Sequence, residues 1–149
     1  MAFIFGILAS FFAFILQGFV WVFHADLFTL ELPLTPSIFF SFVFLAFAEE
    51  VSRILFSRQY VKTYSRNHVL LGAIFFAVGF ASLEIILSSW GGFSWKALGA
   101  SSFHVVATLL TFWWIRENNG RMSTAFLIIL LTALHTCFNL GILLYSPIS

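Results

Sequence analysis

Charged residues are scarce in this chain, and their scarcity excludes a water-soluble protein. Only 9% of its 149 residues are charged, whereas 61% are hydrophobic and 20% are aromatic. A soluble domain carries about 25% charged residues, because it must cover its surface with them. Most of the surface of this protein must therefore face lipid. At about 20 apolar residues per crossing, the length allows about five or six membrane-spanning helices, so we expect residues 1–149 to form a single transmembrane domain.

Cysteine and net charge are limited as well. The chain has a single cysteine, Cys137, which excludes an internal disulfide framework and any metal cluster built from several cysteines. A metal site would need histidine and carboxylate ligands instead. Seven Lys and Arg against six Asp and Glu leave a net charge of +1, so no nucleic-acid partner is indicated. Membrane lipid is the expected surrounding partner.

Five long apolar runs predict an all-α fold, a polytopic membrane helix bundle. The predicted spans are residues 2–22, 37–56, 69–90, 95–115 and 122–145. The basic residues outside the spans lie mostly on one side of the bundle: Arg58, Lys62, Arg66, Arg116 and Arg121. Only Lys96 falls on the other side. Because basic connections stay in the cytoplasm, this distribution predicts a cytoplasmic N-terminus.

Seven polar side chains remain inside these apolar runs. They are Glu49, Glu50, Arg53, Glu84, His104, His135 and Asn139. A charge near the bilayer centre opposes insertion by about 2.5 to 3.5 kcal/mol, so four charges oppose it by roughly 10 to 14 kcal/mol before they pair. Function is therefore the leading explanation. The alternative is a buried ion pair with satisfied histidines that only fixes helix packing.

Hydrolysis and a proton or ion pathway are two candidate functions for such groups inside a membrane. In hydrolysis, a carboxylate or a metal activates water while amide or imidazole donors stabilise the oxyanion. A proton or ion pathway also uses Glu and His, but it needs a continuous trail of them. The polar residues of this chain cluster in depth, which favours hydrolysis.

Helical spacing indicates which of these groups can meet. Glu49 and Arg53 are four residues apart and share a face, which predicts a salt bridge between them. Glu50 projects about 100° away from Glu49. His135 and Asn139 are also four apart and share one face of the last helix.

The charges of these groups raise the question of a metal. Three carboxylates against one guanidinium leave two negative charges, which either two protons or one divalent cation would neutralise. Hydrolytic zinc sites use three ligands from His and carboxylate plus a water, and Glu84, His104 and His135 supply those ligand types. Glu49 would then remain as the base. Zinc and a metal-free, glutamate-activated water are both open at this point.

Four motifs resemble those of the PrsW-type intramembrane proteases, relatives of the CAAX prenyl protease and bacteriocin-processing family. Residues 49–53, Glu-Glu-Val-Ser-Arg, resemble the E-E-x-x-K motif of the PrsW group, with Arg in place of Lys. Residues 80–84 resemble its F-x-x-x-E, where the CAAX group would end in His. His104 stands where the third motif has a histidine, and residues 135–139 resemble the last motif, H-x-x-x-N.

The resemblance implies an intramembrane endopeptidase that cuts membrane-anchored or transmembrane peptides in a multi-pass protein of a prokaryotic cell membrane. It makes Glu49 the general base, held by Arg53 and assisted by Glu50. His104 would help to activate the water, and His135 and Asn139 would bind the oxyanion or a metal. Glu84 would be a further ligand or a water-holding carboxylate.

The same resemblance leaves a second function open. The superfamily also resembles the scaffold subunit of gamma-secretase, which implies a non-catalytic scaffold or assembly subunit as the alternative. Relatives commonly have more than five spans, so the resemblance also implies a homo-oligomer or a partner membrane subunit that closes the site.

Overall fold

The computed structural model describes residues 1–23, 36–64, 69–88, 95–118 and 123–145, and it confirms the predicted all-α fold. These residues form five α-helices: α1 (Ala2–Phe23), α2 (Pro36–Thr63), α3 (Val69–Ser88), α4 (Trp95–Asn118) and α5 (Thr124–Tyr145). Helix α1 packs against α2 and α3, α3 packs against α4, and α5 packs against α2. The result is a helical bundle.

Among the helices in the described part of the chain, three are long and apolar enough to cross a membrane. The qualifying segments are Ala2–Phe19 in α1, Val69–Ile86 in α3 and Thr124–Ile142 in α5. Helices α2 and α4 are at least as long, but they carry charged residues that lower their hydropathy, among them Glu49, Glu50 and Arg53 in α2. Length and composition therefore support three of the five predicted spans.

The distribution of side chains between surface and interior is that of a protein in lipid. Large apolar side chains such as Phe40, Leu70 and Ile129 are about two-thirds exposed, at 67%, 67% and 68%. By contrast, Glu50 and Arg53 are completely buried. An interior that collects polar groups beneath an apolar surface is stable only where the surrounding solvent is itself apolar.

Several helix ends differ from the predicted spans. Helix α2 continues to Thr63, well past the predicted end at Phe56, so Arg58 and Lys62 lie on the helix and not in a connection. Arg and Lys are good helix formers, and a helix can continue beyond the hydrocarbon core with such residues on its surface. Helix α4 likewise continues to Asn118. The predicted ends at Trp90 and Met122 lie outside the described residues.

Helices α1 and α3 approach each other closely at two glycines. A Cβ atom on Gly79 would overlap the backbone carbonyl oxygen of Phe3, and one on Gly6 would overlap that of Phe76. Backbone atoms cannot move aside as a flexible side chain can, so these positions require glycine. Small residues at such crossings let helix backbones approach, which is how helices associate where lipid provides no hydrophobic driving force.

Candidate functional site

Every helix contributes at least one polar side chain to a single cluster in the interior of the bundle. We call this set the polar cluster: Gln17 from α1, Glu49, Glu50 and Arg53 from α2, Glu84 from α3, His104 from α4, and His135 from α5. Of the seven polar residues that the sequence predicted, six belong to it.

An ion pair between Arg53 and Glu50 forms the buried base of the polar cluster. Arg53 Nη1 lies 2.5 Å from both carboxylate oxygens of Glu50, and both side chains are fully buried. The prediction that Arg53 pairs with Glu49 is therefore wrong. Residues three and four apart share a helix face, and Glu50 is the one that also meets a partner from α5. Arg53 thus pairs with Glu50, the carboxylate that contacts His135, and leaves Glu49 without an ion pair to arginine.

His104 is oriented by the same arginine. Arg53 Nη2 lies 2.5 Å from His104 Nδ1. A guanidinium has only donors, so Nδ1 must accept, and the ring proton of the neutral imidazole is on Nε2. That proton faces two carboxylates, because His104 Nε2 lies 2.7 Å from Glu84 Oε2 and 3.5 Å from Glu49 Oε2. His104 therefore presents a donor to the centre of the polar cluster.

His135 has the opposite arrangement. Its Nδ1 lies 2.9 Å from Glu50 Oε1, and an ionised carboxylate only accepts, so His135 Nδ1 donates. The neutral ring then has its lone pair on Nε2, which lies 3.5 Å from Glu49 Oε2. A carboxylate on one nitrogen fixes the tautomer of a histidine and leaves the lone pair on the other nitrogen. His135 is thus able to accept a proton, whereas His104 is able to donate a hydrogen bond.

Glu49 lies beside both imidazoles, and only one of its two carboxylate oxygens accepts a hydrogen bond from the described residues. Gln17 Nε2 donates to Glu49 Oε1. Glu49 Oε2 is buried and has no hydrogen-bond partner among the described residues. The side chain as a whole is 18% exposed and that of Glu84 is 32% exposed, whereas those of Arg53 and Glu50 have no exposure. The polar cluster therefore opens on the side of Glu49 and Glu84.

Gln17 is a member of the polar cluster that the sequence motifs do not reveal. Helix α1 carries no part of the motifs at residues 49–53, 80–84, 104 and 135–139. A signal was present, since Gln17 and Ser10 are the only polar side chains in that apolar helix. An amide in the middle of an apolar span is costly unless it finds a partner on another helix.

Two aromatic rings enclose the polar cluster. The Arg53 guanidinium lies 4.6 Å from the ring centroid of Phe80, which also packs 5.1 Å from the ring of His104. Phe103 packs 4.7 Å from the ring of His135. Such rings shield the ion pair from water and attract the guanidinium through their faces. The Phe of the motif at residues 80–84 thus has a physical role here, which is to cover Arg53.

Asn139 is not brought into the polar cluster. It lies one turn beyond His135 on α5 and is half-buried, without a hydrogen bond to the site residues described here. Its predicted role as an oxyanion donor stays a prediction. In the structure the donor that faces the centre is His104 Nε2 instead.

Three residues of the polar cluster form a group that could hold a metal ion. Ligand atoms of Glu49, His104 and His135 lie within 4.8 Å of one another. The carboxylate of this group is Glu49, whereas the predicted ligand set contains Glu84. Glu49 Oε2 and His135 Nε2 both offer lone pairs to a cation. His104 Nε2 does not, since Arg53 on Nδ1 keeps the ring proton on Nε2.

A three-ligand zinc centre therefore does not fit this arrangement. Hydrolytic zinc needs three protein ligands, and only two of the grouped atoms have a lone pair to give. His104 would become a ligand only if Arg53 turned away and the imidazole moved its proton to Nδ1. Zinc stays a prediction that the hydrogen-bond pattern does not favour.

Comparison with known proteins gives no match for this chain. No protein-family model, no curated protein and no solved structure matches it. The polar cluster itself is therefore the basis for the function proposed next.

Proposed function

We propose that the protein is a membrane-embedded endopeptidase, as the resemblance to PrsW-type proteases implies. The observation that supports it best is Glu49 Oε2, a buried carboxylate oxygen without a hydrogen-bond partner among the described residues, 3.5 Å from Nε2 of both His104 and His135. A buried carboxylate oxygen without a donor is costly. A water molecule that donates to it removes that cost and is placed beside a base.

The first step of the proposed reaction is attack by this water. Glu49 Oε2 takes one proton as the water oxygen bonds to the carbonyl carbon of the peptide. The carbonyl π electrons move to the oxygen, which becomes an oxyanion. His104 Nε2–H, which lies 2.7 Å from Glu84 Oε2 in the structure, is the donor nearest this space, and it stabilises the charge as it develops once the oxyanion takes the place of the Glu84 oxygen.

The second step is departure of the amine, for which His135 supplies the proton. The proton on Glu49 passes to His135 Nε2, and Glu50 on Nδ1 stabilises the imidazolium that forms. His135 then donates to the amide nitrogen as the C–N bond breaks. The products are a carboxylic acid and an amine, which together contain the atoms of one water.

We also propose that all five helices cross the membrane, with the N-terminus in the cytoplasm. Helices α2 and α4 pack between the three apolar helices and carry three and one members of the polar cluster. Pairing of Glu50 with Arg53 within α2 reduces the cost of placing both charges in the bilayer.

Peptidase activity is tested with protein reconstituted in liposomes. The probe is a synthetic single-span peptide that carries a fluorophore at one end and a quencher at the other. Glu49→Gln keeps the size of the side chain and the bond to Gln17 but removes the base, so we expect cleavage to fall about 10²- to 10⁴-fold. Glu117→Gln, the same change at a half-exposed carboxylate of α4, is the matched control and should cleave at the wild-type rate.

A second variant separates the reaction from folding. His104→Ala removes the donor at the centre and should also abolish cleavage while the protein still inserts and purifies normally. Full cleavage by both Glu49→Gln and His104→Ala would refute the proposed site. A wild-type protein that never cleaves the probe, but that assembles with another membrane subunit, would indicate the scaffold function instead.

A further inference from the structure

One contact in the polar cluster opposes the reaction that the other contacts support. Glu84 Oε2 of α3 lies 2.7 Å from His104 Nε2 of α4, the nitrogen that carries the ring proton. The resemblance at residues 80–84 implies that Glu84 holds a metal or a water. Either role would direct the carboxylate at that group, whereas in the structure it lies against the donor that the oxyanion needs.

The distance places a carboxylate oxygen where the reaction places an oxyanion. A donor stabilises an oxyanion from about 2.7 to 3.1 Å away, and the contact between Glu84 and His104 falls in that range. An ionised carboxylate oxygen also resembles an oxyanion in charge. Glu49 Oε2 lies farther from the same nitrogen, at 3.5 Å, beyond normal hydrogen-bond length. Glu84 is therefore the carboxylate that imitates the oxyanion.

His104 has one proton to offer and cannot serve two oxygens in line. Arg53 Nη2 donates to Nδ1, so the neutral ring carries its only N–H on Nε2. The ring is also held in place, because it is 1% exposed and packs 5.1 Å from the ring of Phe80. A substrate carbonyl oxygen therefore reaches this donor only when Glu84 leaves it.

Glu84 is the carboxylate of the polar cluster with the most room to move. Its side chain is 32% exposed, compared with 18% for Glu49 and none for Glu50. It also lies on the side where the polar cluster opens. A peptide that enters from this side contacts Glu84, and the side chain can turn outward without disturbing the buried ion pair.

We propose that Glu84 is an inhibitory carboxylate, which occupies the oxyanion position at His104 Nε2 until the carbonyl oxygen of a bound peptide displaces it. The proposal rests on the peptidase function and reverses the role that the resemblance gives to Glu84. Removal of a residue that holds a metal or the attacking water lowers activity. Removal of an inhibitory carboxylate raises it, because the transition state no longer has to displace Glu84 and its charge no longer repels the oxyanion.

Three substitutions of Glu84 test this role in the liposome cleavage assay. Glu84→Ala removes the carboxylate, and Glu84→Asp keeps the charge but shortens the side chain by one methylene, so both free the His104 donor. We expect kcat/KM to rise about tenfold in each. Glu84→Gln keeps the size and offers a neutral oxygen, so its rise should be smaller. Glu117→Ala, which removes a half-exposed carboxylate of α4, is the matched control and should cleave at the wild-type rate.

A second measurement does not depend on cleavage. In protein with ¹⁵N-labelled histidine, NMR in detergent micelles detects the Nε2–H proton of His104, which is assigned by its loss in His104→Ala. A short contact with a carboxylate moves this resonance downfield, so Glu84→Ala should move it upfield. Acetate then serves as an external carboxylate. It should return the resonance downfield in Glu84→Ala and leave the wild-type resonance unchanged.

Two results would overturn the proposal. A kcat/KM at or below the wild-type value in both Glu84→Ala and Glu84→Asp would show that Glu84 assists the reaction. A wild-type resonance that acetate shifts as readily as that of Glu84→Ala would show that Glu84 does not occupy the donor. If neither protein cleaves the peptide while acetate still distinguishes them, the peptidase function is refuted and occupation of the His104 donor by Glu84 is supported.

Discussion

The polar cluster and the α1–α3 contact hold the same bundle together by opposite means. In the polar cluster, Arg53 and Glu50 are tolerated in the interior because they pair with each other and because each also meets a polar partner from another helix. At the α1–α3 contact, Gly6 and Gly79 let the two helices approach closely because they have no side chain. The first region depends on the identity of its partners and the second on shape alone. The two regions should therefore fail in different ways.

The largest expected effect comes from removal of one half of the buried ion pair. Arg53→Met leaves Glu50 buried without its guanidinium partner and with only the hydrogen bond from His135, which should lower the free energy of unfolding by about 3 to 5 kcal/mol. Denaturant titration in mixed micelles measures it. Arg58→Met, an exposed arginine on the same helix, is the control and should change stability by less than about 0.5 kcal/mol.

A double variant shows whether the cost comes from the stranded charge. Glu50→Gln combined with Arg53→Met removes both charges and should recover most of the stability that Arg53→Met loses, because a neutral pair is tolerated in a dry interior. If the double variant is as unstable as the single one, the pair stabilises the bundle through its shape, and the contrast with the α1–α3 contact disappears.

A methyl group at the α1–α3 contact should have the next largest effect. In Gly79→Ala the new Cβ would overlap the Phe3 carbonyl oxygen, so the helices must separate, at about 1 to 3 kcal/mol of unfolding free energy. Gly141→Ala is the matched control, since nothing lies within 4 Å of its Cβ position. It should be neutral or stabilise by up to about 1 kcal/mol through helix propensity. Equal effects of the two changes would contradict the close approach.

Gln17→Leu tests the contrast between the polar cluster and the α1–α3 contact by its effect on activity. It removes the donor to Glu49 Oε1, so the carboxylate loses its orientation while the helix keeps its packing. We expect kcat to fall about tenfold to a hundredfold with KM unchanged. Unfolding free energy should change by less than about 1 kcal/mol. Ser10→Ala, at the other polar residue of α1, should leave kcat at the wild-type value.

Metal removal should have the smallest effect of all. Because Arg53 keeps the His104 ring proton on Nε2, we expect protein treated with a strong chelator to cleave the peptide probe at the full rate. Metal analysis of the purified protein provides the second measurement. A zinc ion bound to each chain, released by His135→Ala together with activity, would show that His104 gives up its contact with Arg53 when metal binds.

The helices could be predicted from sequence because the composition of each long apolar run indicates by itself that the segment lies in lipid. Hydropathy needs no information about neighbours, and the five runs became five helices. The end of α2 was missed because Arg58 and Lys62 mark an aqueous boundary equally well whether the backbone there is a helix or a loop. Composition locates the membrane edge but not the end of the hydrogen-bonded backbone.

The partners within the polar cluster could be predicted only in part. Spacing of four residues favoured Glu49 for Arg53, but spacing of three serves as well, and His135, 85 residues from Glu50, decides between them. Which carboxylate stands beside both histidines is likewise set by distances between helices. Gln17 had no motif around it, and although its polarity in an apolar helix was a signal, only its contact with Glu49 places it in the polar cluster. A single sequence does not show which residues of distant helices contact each other.

The ion pair between Glu50 and Arg53 has a consequence for the biosynthesis of this protein. Both residues belong to α2 and are three positions apart, so the pair can close before α3, α4 and α5 have been synthesised. The donor for Glu49 is Gln17 of α1, which leaves the ribosome earlier still. The two charges fully buried in the finished bundle therefore neutralise each other within a single segment during insertion. His104 and His135 can then enter the membrane as neutral rings and meet carboxylates that are already in place.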